Sequence, residues 1–153
     1  MTLYEMIKGI ERTAAQQPGV HMIVRNDIFR LNAAPSALYA VFGWLQREHA
    51  ARVDSSFIEY SFTFFYVDRL TADHSNEVEI QSAGVQCLDN IIRTVDEWAQ
   101  VTTDWTFTTF NQRFTDECAG VFTNVTFRVP VGSVCPASWP DYDGDFNSDF
   151  LIY

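Results

Sequence analysis

Apolar residues at the start of the chain recur at three- and four-residue intervals. Leu3, Met6, Ile7, Ile10 and Ala14 place a single apolar stripe along a helix over 3–17, which Pro18-Gly19 ends. Val20 to Val24 then reads as a short strand and Asn26-Asp27 as a turn. Ile28 to Leu31 reads as a second short strand before a loop over 32–36. From there the period changes to two. Residues 37–48 and 56–69 are expected as two long antiparallel strands joined by a polar loop around Arg47–Arg52. In the second of them Ile58, Tyr60, Phe62, Phe64 and Tyr66 alternate with Glu59, Ser61, Thr63 and Phe65, the pattern of a half-buried strand. The run Phe64-Phe65-Tyr66-Val67 breaks the alternation, so this stretch is expected to be covered on both faces.

The helical period returns after the turn at Asp73–Asn76. Ile80, Gly84, Cys87, Leu88, Ile91, Val95 and Trp98 keep it through a helix over 77–100. Trp105–Phe110 and Val121–Val129 follow as strands, the second with Val121, Thr123, Val125, Phe127 and Val129 on one face. Beyond Gly132 the pattern stops: SVCPASWPDYDGDFNSDFLIY has no periodicity and mixes prolines, aromatics and aspartates. The expected architecture is α+β. An antiparallel sheet with a long hairpin carries an N-terminal helix and one long helix packed across it. Residues 1–132 form a single domain in this reading, and 133–153 form an extended acidic and aromatic C-terminal arm.

Composition sharpens the functional reading by exclusion. Of 153 residues 47% are hydrophobic and 20% charged, a balance that builds a core rather than a disordered chain. A net charge of -10 repels phosphate backbones, so no sequence-specific nucleic-acid partner is expected. Lys8 is the only lysine, and Arg supplies the rest of the positive charge, a residue favoured at interfaces. No apolar run reaches membrane-spanning length, and Glu5 and Glu11 interrupt the N-terminal segment, so neither a membrane partner nor a secretory signal is expected. That implies synthesis in a cytoplasm, where Cys87, Cys118 and Cys135 are expected as reduced thiols. Cys118 and Cys135 could in principle pair, but a cytoplasmic origin favours the reduced form.

The motifs that carry chemistry are few. His21, His49 and His74 share no metal-ligand spacing, no GxSxG elbow is present, and the seven glycines are isolated from one another. No cofactor and no catalytic residues are expected, and an enzyme reading has no motif behind it. The sharpest constellation is DYDGDFNSD. Asp141, Asp143, Asp145 and Asp149 fall at positions 1, 3, 5 and 9 of a calcium-type loop, but Phe146 stands where the turn glycine belongs and Ile152 where the closing Glu belongs. The competing reading is a docking arm, in which Trp139, Tyr142, Phe146, Phe150 and Tyr153 anchor on a neighbour while the aspartates stay at the rim. Arg47 and Arg52, at the tip of the hairpin, are the other expected contacts.

Four strings, NDIFRLN at 26–32, FTFFYVDRL at 62–70, SNEVEIQSAG at 75–84 and FTDECAGVF at 114–122, resemble small virion proteins of tailed phages of gut bacteria, crAss-like phages among them. The order of elements resembles tail-terminator and head–tail connector proteins. The resemblance implies a structural protein that forms a homo-oligomeric ring in the neck or upper tail of a virion. Its implied neighbours are portal, neck or tail proteins, with DNA passing through the ring. It supplies no catalytic residues. The alternative is a carbohydrate- or calcium-binding surface module.

Overall fold

The computed structural model describes residues 1–26, 40–53, 56–113, 117–132 and 151–152. Helix α1 (Leu3–Ala15) is fixed at its start by a reciprocal cap. The Thr2 hydroxyl accepts from the Glu5 N–H at 3.2 Å, and the Glu5 carboxylate accepts from the Thr2 N–H at 2.7 Å. The helix ends at Ala15, two residues before the expected end at 17, and Met6, Ile10 and Ala14 of its stripe are all buried. Gly19, at φ +84°, turns the chain into strand β1 (Met22–Arg25). Strands β2 (Val41–Val53) and β3 (Phe57–Arg69) form the expected long hairpin.

Between β3 and the second helix the chain is held by side chains rather than by a helix cap. Asn76 accepts from the Thr71 N–H at 2.9 Å and donates to the Arg69 carbonyl at 3.1 Å. Asp73 accepts from the Thr71 hydroxyl and the Ser75 N–H. Helix α2 (Glu77–Asp96) follows, then β4 (Gln100–Val101), β5 (Thr108–Arg113), β6 (Glu117–Pro130) and β7 (Leu151–Ile152).

The sheet runs β4-β6-β3-β2-β1-β7, with β5 also paired to β6. The α+β class and both helices are as expected, and the central pairings β2–β3 and β3–β6 are antiparallel. At one edge the direction changes, since β1 lies parallel to β2 and β7 parallel to β1. The sheet is therefore mixed. The segment read as an arm over 133–153 ends with Leu151 beside Met22 and Ile152 beside Ile23, as an edge strand.

The stretch Arg47–Arg52, expected as a polar loop, is strand. Gln46 faces Phe62 and Ala51 faces Tyr60, so five steps along β2 match two along β3 and the ladder resumes beyond a bulge. The expected strand over 28–31 lies outside the described residues.

Both helices pack on one face of the sheet. Ile80, Gly84, Cys87, Leu88, Ile91 and Val95 of α2 are buried, as their spacing requires, and Ile92 joins them. Beneath lies a bank of rings from alternate strand positions: Phe42–Phe64 at 5.4 Å between centroids, Phe62–Phe64 at 5.9 Å and Phe64–Phe127 at 6.0 Å. Gly84 lets α2 approach closely, because a Cβ there would overlap Val121 and the Tyr66 ring.

The opposite face is divided. Met22, Val24, Val41, Phe65, Val67 and Cys118 form a second buried cluster at one end, which explains the broken alternation at Phe64–Val67. Toward the other end the same face is polar. Glu59 pairs with Arg128 at 2.7 Å, Ser61 with Thr126 at 2.8 Å and Thr63 with Asn124 at 2.6 Å.

Candidate functional site

Helical spacing puts Tyr4, Ile7, Lys8 and Glu11 on one side of α1. Parallel pairing sets Arg25 directly beside Trp44 on the strands that α1 faces. These six residues line a cleft of about 330 Å³. At its base the Glu11 carboxylate is fully buried. Arg25 reaches it with two donors, Nε to Oε1 at 2.5 Å and Nη2 to Oε2 at 2.6 Å, and the Trp44 indole N–H donates to Oε1 at 2.9 Å. Burying a carboxylate is tolerable only with such partners, and the forked geometry of Arg supplies two at once. At the rim the Lys8 ammonium sits 4.3 Å from the centre of the Tyr4 ring, which is 66% exposed.

Three donors occupy Glu11, which leaves it poorly placed to take a proton from a substrate, and no Ser, Thr or Cys side chain lines the cleft. Three other titratable groups lie largely buried. Burial pushes the Cys87 thiol up to about 12, so it stays protonated and unreactive at neutral pH. Burial also raises Tyr66, with Asp68 adding to the effect. Asp68 itself is held above the usual carboxylate range by burial, against the Arg69 N–H and the charge of His21. Among the described residues no three His, Cys, Asp or Glu side chains converge on a point that could hold a metal ion. No helix among them is long and apolar enough to cross a membrane.

Of the histidines, His21 is exposed beside β1, and His74 meets Glu117 across 2.6 Å at an exposed position that ties the β3–α2 turn to β6. Arg47 lies exposed on β2, and Arg52 is paired in register with Glu59. Trp139, Tyr142, Phe146, Phe150 and Tyr153 lie outside the described residues, as do Asp141, Asp143, Asp145, Asp149 and Cys135.

Sequence reasoning missed the Glu11–Arg25–Trp44 cluster. Its one local signal is that Glu11 falls four residues after Ile7 and one after Ile10, at the border of the apolar stripe. Its partners are 14 and 33 residues away. No protein-family model matches the chain, and no curated protein matches it either.

Proposed function

We propose that this chain is a structural protein that acts by assembling with copies of itself, as a ring subunit of the neck or upper tail of a tailed phage. What supports the reading is the order of elements around a hairpin of two 13-residue strands. A leading helix, the hairpin, a helix laid on the same face and a closing hairpin of β5 and β6 together follow the order expected of tail-terminator and head–tail connector subunits. The cleft beside α1 has the makeup of a docking surface, with aromatic and cationic walls and a carboxylate already engaged. An acidic subunit suits a channel that duplex DNA traverses, because a lining that does not hold phosphate lets the polymer slide.

Light scattering on the purified chain, with electron microscopy of the same sample, tests the proposal. The expected result is a closed oligomer of one size. A chain that stays monomeric at high concentration and enters no particle overturns it.

A further inference from the structure

We propose that the edge strand β7 is exchanged between copies, with Leu151–Ile152 of one chain adding to β1 of the next. The inference rests on the assembly reading above and names its joint.

The acceptor is β1. Met22, Ile23 and Val24 have fully buried side chains, so the strand is held firmly on both faces. Its inner edge is paired to β2 over four residues, and its outer edge is paired to β7 at Met22 and Ile23. A buried strand with an outer edge to satisfy is a template for any strand of suitable register, and main-chain hydrogen bonds do not distinguish one copy from another.

The donor is β7, which pairs with β1 and is two residues long. In sequence it follows β6 by the 20 residues 131–150. Pro130 lies level with Phe57, and Leu151 lies level with Met22, Val41 and Val67. The two ends are therefore four strand spacings apart across the sheet and ten residues apart along it. At about 4.8 Å per strand and about 3.3 Å per residue this is roughly 38 Å. The 21 residue steps from Pro130 to Leu151 reach roughly 69 Å when extended. The connection is long enough to carry β7 well past its own β1 to the same edge of an adjacent copy.

Exchange also gives assembly a direction. When the strand is passed on to a third copy rather than returned to its donor, each copy gives one strand and receives another. Such head-to-tail contacts close into rings when the angle between copies allows. A two-fold contact would leave no such sense of rotation.

Disulfide trapping on the full-length chain separates exchange from pairing within one chain. In a Cys135→Ser background, one chain carries Met22→Cys and a second carries Leu151→Cys, the two positions that face each other. The variants are co-expressed, oxidised and run on a non-reducing gel. Exchange gives a covalent dimer of the two different chains, and the double variant Met22→Cys/Leu151→Cys gives a ladder of multimers. If light scattering finds an oligomer but the double variant closes only within single chains, exchange is wrong and assembly stands. If light scattering finds monomers, both fail. Ile152→Pro, which removes an N–H from the edge strand, gives a second reading without new thiols: folded monomers by circular dichroism and light scattering are expected, and an intact oligomer overturns the exchange.

Discussion

At the scale of single residues, the most consequential group is Glu11, a carboxylate with no exposure and three donors. Glu11→Ala removes the acceptor of two hydrogen bonds from Arg25 and one from the Trp44 indole, and is expected to cost roughly 3 kcal/mol, the low end of the range for broken buried pairs because Arg25 is partly exposed. Replacing Glu11 and Arg25 together by apolar residues of similar volume is expected to cost less than Glu11→Ala alone. Urea unfolding of the three proteins checks this, and a single variant as stable as the parent would refute it. Thr123 is the converse case. Its hydroxyl is buried in the core and has no hydrogen-bond partner among the described residues. Thr123→Val removes that unmet polar group at nearly constant volume, so thermal unfolding should move to a higher temperature by a few degrees. Asp73 sets a pH expectation. Hydrogen bonds from Thr71 and Ser75 hold its carboxyl down at about 2, against 3.8 in the unfolded chain. A depressed folded value stabilises while the group is ionised, so its contribution is present above pH 3.8 and fades as pH falls toward 2. Carboxyl NMR should place the midpoint there, and Thr71→Val should raise it; an unchanged midpoint would mean the turn does not act through that hydroxyl.

At the scale of elements, the two helices were the most legible part of the sequence. One apolar stripe on each is enough to specify a helix lying on a sheet. Gly84 sits in the middle of the α2 stripe, where propensity alone favours Ala by about 1 kcal/mol. The sheet decides otherwise. Gly84→Ala is expected to destabilise by roughly 1–3 kcal/mol, because the added methyl must displace Val121 and the Tyr66 ring. Chemical denaturation measures it, and a gain in stability would show that α2 rides higher on the sheet than described. The strands were legible only where the ladder is regular. The bulge between Gln46 and Ala51 inserts an odd number of residues. Before it, even-numbered positions of β2 (Phe42, Trp44, Gln46) pair with even-numbered ones of β3, and after it Ala51 pairs with Tyr60 and Val53 with Ile58, so the parity of the register changes. A period-two pattern read across that point loses phase, which is why the strand was expected to stop near 48. For β1 the difficulty is different. Met22, Ile23 and Val24 are buried on both faces, and a run without alternation carries no signal of strand direction. The cluster at Glu11 was hidden for a third reason: a charged residue reads as solvated until two partners from distant strands are placed beside it.

At the scale of the whole molecule, the divided second face of the sheet and the net charge of -10 set the terms on which copies can meet. Equal charges of that size repel, and salt screens the repulsion within about 10 Å at 0.1 M. Raising salt from about 0.02 to 0.15 M is therefore expected to shift the purified chain toward its oligomer in sedimentation velocity. An oligomer that dissociates with salt would instead point to interfaces held by ion pairs. The α+β class could be read from the sequence because it depends on sums over many residues. The mixed sheet could not, because it depends on where a four-residue strand and a two-residue strand attach.

Strands β3 and β6 face each other through 13 consecutive residue pairs, from Phe57–Pro130 to Arg69–Cys118, without a break. Antiparallel hydrogen bonds lie across the strand direction. A pull along the strands therefore loads the whole ladder at once, whereas a pull across them opens it one rung at a time. The centre of this fold is mechanically anisotropic: stiff against forces drawn along its long axis and soft against forces that peel its edges.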